Sequence, residues 1–188
     1  MAQISYDMKI VRMLLNERIH PRAIAKKLKT NHMTITRALS KLLKKNVVDF
    51  IQQGKNKSFF LKDTVEAKGF IFMSEYYALI NILEKYPALR KIIDKIQKDK
   101  RIKMAIIFGS FAKSVAKKDS DIDIFIETDD INLKKGYSLI NSKLSIKIGK
   151  LNKDNLLAKE IEKNHAIIKG VESYYKSFFE EASQGKET

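Results

Sequence analysis

The run Ile106-Ile-Phe-Gly109-Ser110, followed by two carboxylates spaced i and i+2 at Asp121 and Asp123, is where residue types and spacing could do chemistry. Residues 122 to 126 alternate into a β-rich pattern, which puts Asp121 and Asp123 on one face and Ile122, Ile124 and Ile126 on the other. Two carboxylates together on a core-packed sheet repel each other and lose hydration unless something positive sits between them. A divalent metal meets that need, because hard cations take carboxylate oxygens and can bridge them to nucleotide phosphates. The bland alternative is a hairpin whose aspartates face water. Glu127 is in phase with the pair and reads as the solvated end of the same strand.

In type and spacing the segment resembles the signature of the DNA polymerase beta-like nucleotidyltransferase superfamily. The nearest resemblance is to the minimal archaeal- and bacterial-type nucleotidyltransferases, whose motif runs roughly GSxAxG then SDIDLxV; here it reads GSFAKS then SDIDIFI. The resemblance implies that Gly109 and Ser110 hold the phosphates of an NTP; Lys117 or Lys118 could neutralise their charge, and Ser120 is a further nucleotide-binding candidate. It also implies that Asp121 and Asp123 are the catalytic carboxylates and hold Mg2+. The reaction implied is transfer of a nucleoside monophosphate to an acceptor, either a protein hydroxyl or a nucleic-acid end. Two positions depart from the family pattern. Ser114 stands where a second glycine is usual, and the strand read over 143–149 carries no third carboxylate. Its polar face offers Lys143, Ser145 and Lys147, and a charged lysine neutralises phosphate but does not ligate magnesium. An active transferase and a regulator with a catalytically inactive nucleotide-sensing or assembly domain therefore both remain open.

The elements around this motif read as an α+β chain. Its 188 residues, 44% hydrophobic and 31% charged, suit one large or two small cores. No apolar stretch nears the roughly 20 residues that cross a bilayer, and the N-terminus shows no signal pattern, so a cytoplasmic location with no membrane partner is expected. There is no cysteine, and His20, His32 and His165 are too scattered for a metal site. Charge is uneven: residues 1–62 carry 14 Lys and Arg against 3 Asp and Glu, while 63–188 carry 23 against 19. An excess concentrated in one module is the footprint of a nucleic-acid partner.

Within 1–62 the apolar period over Tyr6–Asn16 predicts a helix, His20-Pro21 opens a second, and Asn31 caps a third with Ile35, Ala38, Leu39, Leu42 and Leu43 on its buried stripe. Strands over 47–51 and 58–61 follow, joined by a Gln-Gln-Gly-Lys-Asn turn. Three helices and a hairpin look like a winged helix-turn-helix for double-stranded DNA. Its third helix would present His32, Thr34, Thr36, Arg37, Ser40 and Lys41 to the major groove, with Arg37 suited to guanine. Lys44 and Lys45 suit phosphates, as do Lys55 and Lys57 at the hairpin tip. A protein-interaction module with a solvated basic face is the alternative.

The remaining boundaries follow from the same periodicities. A helical linker or dimerisation segment is expected over 63–99, with one helix ending before Pro87 and another starting there, and a homodimer as its consequence. A nucleotidyltransferase-like domain is expected over 100–182: a small mixed sheet with flanking helices. It includes an ambiguous 133–140 segment, a helix over 152–163, a strand over 166–170 and a closing helix over 171–182. Residues 183–188 read as a frayed polar tail.

Overall fold

The computed structural model describes residues 2–54, 56–139, 141–151 and 155–176, in two compact units, 1–77 and 78–188. The segment read as a linker is shared between them, since its long helix begins in the first unit and ends in the second.

The first unit holds helices α1 (Ala2–Leu14), α2 (Pro21–Lys27) and α3 (His32–Lys44), then strands β1 (Val48–Gln53) and β2 (Asn56–Leu61). Pro21 occupies the first turn of α2, where its missing N–H leaves no bond unmade. Lys29, at φ 50°, turns the chain out of α2. Asn31 then caps α3, its side-chain oxygen accepting from the Met33 N–H at 2.7 Å. The hairpin pairs Val48 with Leu61 and Phe50 with Phe59. A third strand segment is present that periodicity does not reveal: Ile19 bridges Phe59, with backbone N–H to O distances of 3.1 and 3.0 Å in the two directions. One bridging residue is too short to leave a pattern. Ile10, Val11, Ile24, Ile35, Leu39, Leu42 and Val47 are fully buried beneath these elements. The arrangement is a winged helix-turn-helix.

Helix α4 (Val65–Lys85) is capped by Thr64, whose hydroxyl accepts from the Ala67 N–H at 3.1 Å, and it stops before Pro87. A short 3-10 turn over Pro87–Leu89 leads into α5 (Arg90–Lys98).

The second unit is built on β3 (Ile102–Ile107), β4 (Ile122–Thr128), β5 (Leu144–Ile148) and β6 (Ala166–Lys169), in the order β5-β4-β3-β6. Strand β4 runs parallel to β5, and β3 is antiparallel to both β4 and β6. A four-residue helix, α6 (Gly109–Ala112), starts where β3 ends. One face of the sheet supplies Ala105, Ile107, Ile122, Ile124, Ile126 and Ile146 to a core closed by Leu79, Ile82, Ile92, Ile93 and Ile96. The 133–140 segment resolves into α7 (Leu133–Ser138), whose i and i+4 residues Leu133 and Tyr137 close the same core, while Ile140 lies outside the described residues. The alternate positions Met104, Ile106 and Phe125 are buried too, so the sheet is covered on both faces.

Helix α8 (Leu156–Lys163) begins at an Asn155 cap, and the first residues of the 152–163 expectation lie outside the described set. Residues 171–176 are helical, and the rest of the expected closing helix, with the 183–188 tail, is likewise outside it. Among the described residues no helix is long and apolar enough to cross a membrane.

Candidate functional site

Gly109 stands at the end of β3 with φ +67°, a backbone conformation that L side chains rarely adopt. A Cβ there would lie 2.5 Å from Asp123 Oδ2, so glycine is needed twice over: for the turn, and to let the backbone reach the carboxylate. The Phe108 N–H donates to the Asp123 carbonyl at 3.1 Å, fixing turn and strand together. The chain closes α6 through the Lys113 N–H to the Gly109 carbonyl at 3.1 Å and the Val115 N–H to the Ser110 carbonyl at 3.0 Å. Ser114 takes φ 57°, the left-handed conformation for which the family's second glycine would be suited, and its carbonyl accepts from Lys85 Nζ at 2.6 Å. The backbone path is thus kept without the glycine.

Asp121 is exposed at the mouth of β4, and Asp123 is half-buried on the strand. Burial pushes the Asp123 carboxyl up, a hydrogen bond from Ser145 opposes that, Asp121 and Glu160 add negative charge, and Lys147 offsets some of it. The parallel register pairs Asp123 with Ser145 and Phe125 with Lys147. The β5 position opposite Asp123 therefore holds a hydroxyl, while Lys147 lies opposite Phe125 and acts on Asp123 through its charge. Ser120 accepts from the Lys117 N–H at 2.9 Å, and the Lys118 carbonyl accepts from Lys143 Nζ at 2.6 Å, so both atoms shape the loop; the Lys117 and Lys118 side chains are exposed.

Two further participants escape spacing arguments. Lys113, at the end of α6, pairs with Glu160 of α8 at 3.5 Å, and Glu160 in turn acts on Asp123. Nothing in a sequence that sets them 47 positions apart announces that meeting.

Residues 90–173 match the family described as "Polymerase beta, Nucleotidyltransferase". This segment is a polymerase beta-type nucleotidyltransferase domain. No curated protein matches the chain. Solved structures similar to it include the adhesin competence repressor (AdcR) from Streptococcus pyogenes, 20% identical over 48% of this chain and 73% of that one, with a TM-score of 0.39. ZitR from Lactococcus lactis, solved as a cysteine-to-serine mutant, is 19% identical over 48% of this chain and 68% of its own, with a TM-score of 0.34. At these scores neither adds to the winged helix, which rests on α1–α3, the hairpin and the Ile19 bridge.

The donor set of the nucleotidyltransferase domain can be tested against the magnesium its family implies. Asp121 and Asp123 are hard oxygen donors on one side of β4, and such a pair suits an ion that keeps several waters and takes its other ligands from nucleotide phosphates. Among the described residues no three His, Cys, Asp or Glu side chains form a metal-holding group. The residues fit one magnesium carried in with a nucleotide. They do not fit a second ion or a carboxylate base supplied by β5.

On the winged helix, His32, Thr36, Arg37 and Ser40 are exposed along α3, as are Lys44 and Lys45 at its end, while Thr34 is half-buried. The Thr36 hydroxyl donates to the His32 carbonyl at 3.0 Å. Lys41 is placed differently: its Nζ donates to Asp7 Oδ2 at 2.8 Å, and Asp7 is buried. Lys45 lies over the Phe70 ring at 5.2 Å and Lys57 over Phe50 at 4.0 Å. The Lys57 carbonyl also meets His20 Nδ1 at 2.9 Å. Lys55 lies outside the described residues.

Proposed function

We propose that the chain is a DNA-binding protein whose nucleotidyltransferase-fold domain binds a magnesium–NTP complex. The observation that carries the nucleotide half is the approach of Asp123 to Gly109, which joins the aspartate pair and the glycine turn into one site. Asp121 and Asp123 would hold Mg2+, which supplies charge neutralisation and a bridge to the phosphates. Gly109 and Ser110 would cradle the phosphates, with Lys117, Lys118 and Ser120 on the adjoining loop. The DNA half is supported by the exposed polar face of α3 and by the basic excess of residues 1–62. Arg37 would read a guanine edge, His32, Thr34, Thr36 and Ser40 would lie along the groove, and Lys44, Lys45, Lys55 and Lys57 would meet phosphates.

Transfer would join an acceptor oxygen to the α-phosphorus, break the α–β phosphoanhydride and release pyrophosphate, with the acceptor's proton passing to a base. Ser145 stands opposite Asp123 on β5, where that base would come from, and β5 carries no carboxylate, which favours holding the nucleotide over transferring it. The intact aspartate pair favours the second reading, transfer to a protein hydroxyl or a nucleic-acid end. Incubation with each α-labelled NTP and magnesium, with and without nucleic acid or cell extract, separates the two. The first reading expects bound nucleotide and no transferred label. Label that moves, and is lost in Asp121→Asn/Asp123→Asn, establishes the transferase.

A second copy of the chain is the partner proposed for α4, whose Val65, Met73 and Tyr76 are exposed along one helix. A monomeric mass by sedimentation would remove that proposal.

A further inference from the structure

We propose that the Lys113–Glu160 ion pair is a latch opened by nucleotide. Glu160 holds the Lys113 ammonium while the site is empty and yields it to the phosphates of Mg–NTP when the site fills. The inference rests on the nucleotide-binding reading above and assigns that site a means of reporting its occupancy.

Both ends of the pair are anchored so that only side chains need to move. The Lys113 backbone is fixed by its N–H to the Gly109 carbonyl at 3.1 Å, and the next residue by Lys85 on the Ser114 carbonyl at 2.6 Å. Glu160 projects from a helix whose Ala158 and Ile161 are buried, and its charge bears on Asp123 as well as on Lys113. The carboxylate therefore lies at the acid side of the site and also bonds the cation at the end of the phosphate turn.

The pair itself is long, at 3.5 Å, and exposed, with 43% and 46% of the two side chains accessible. Such pairs are weak in water. A phosphate oxygen is a stronger partner for an ammonium, because its hydrogen bonds are charge-assisted and its charge is higher. Arriving phosphates thus outcompete Glu160 for Lys113. Glu160 is then left beside the aspartates without its cation, and α8 loses its tie to the phosphate turn. Occupancy of the site becomes a change at α8.

The test is calorimetric titration of the full chain with magnesium and each of ATP, GTP, CTP and UTP. The proteins are the parent, Glu160→Gln, Lys113→Ala and the double variant, with thermal melts to confirm that each is folded. The latch predicts that Glu160→Gln tightens binding about 3- to 10-fold by removing the competitor. It predicts that Lys113→Ala weakens binding, and that Glu160→Gln has no effect once Lys113 is gone. Tightening of equal size in both backgrounds would mean general relief of negative charge and would overturn the latch, as would no effect in either. A parent that binds no Mg–NTP overturns the site reading itself and the latch with it. A parent that binds while Glu160→Gln is indistinguishable from it overturns the latch alone.

Discussion

At Asp123 the fold and the proposed magnesium site make opposite demands. Burial raises its pKa, so its ionised form weakens the fold. That penalty is absent below the ordinary carboxylate range, where the acid is protonated in folded and unfolded chains alike. It grows in as pH rises through the raised folded-state value. Asp123→Asn is therefore expected to raise the thermal midpoint at neutral pH, with the gain shrinking as the melts move to acid; a gain independent of pH would contradict this. Lys41 and Lys44 look interchangeable in a sequence and are not. Lys41→Ala leaves the buried Asp7 without its cation and should lower stability by about 1–2 kcal/mol, discounted because the lysine is partly exposed. Lys44→Ala should leave stability unchanged and reduce the salt slope of DNA binding by about one. Urea melts beside salt-dependent binding curves distinguish the two. The aspartate pair was legible because strand alternation is a short-range rule. The partners of Lys41 and Lys113 were not, because they lie 34 and 47 residues away along the chain.

At the scale of elements, the turn after β3 shows how a departure from a motif can keep the motif's geometry. Ser114 holds φ 57° without being glycine, with its carbonyl fixed by Lys85. A left-handed L residue costs about 1 kcal/mol, offset in part by the entropy a glycine adds to the unfolded chain. Ser114→Gly should accordingly be neutral to stabilising, by up to about 1 kcal/mol in chemical denaturation; a clear loss would show that the serine side chain itself holds the turn. The long, strongly patterned helices α3, α4 and α5 and the hairpin were readable from periodicity, capping and proline placement. The Ile19 bridge was not, since one residue carries no period. Helix α7 was ambiguous because, among its residues with described side chains, only Leu133 and Tyr137 are buried in the core, leaving a two-point pattern. Near it, Arg101 bonds Asp99 at 2.7 Å and Asp130 at 2.9 Å, holding the Asp99 carboxyl well below the usual range. This corner too pairs residues that spacing does not connect.

At the scale of the whole molecule, two units of different chemistry share one chain, and the charge divides between them. The basic excess is densest in residues 1–62, with 14 Lys and Arg against 3 Asp and Glu, while residues 90–173 carry 19 against 12 and gather Asp121, Asp123 and Glu160 around one strand end. The two cores were legible because each has its own hydrophobic period; the lack of an acid among Lys143, Ser145 and Lys147 was visible in the residues, but that Ser145 is the one opposite Asp123 became definite only with the β4–β5 register. The proposed function stands on the aspartate pair and the glycine turn forming a magnesium-dependent nucleotide site. Equilibrium dialysis of labelled NTPs against the full chain, with magnesium and with EDTA, tests it most directly when the parent is compared with Asp121→Asn/Asp123→Asn. Saturable binding by the parent that disappears with EDTA and in the double variant is the expected result. Binding that survives in the double variant, or a parent that retains no NTP, would contradict it.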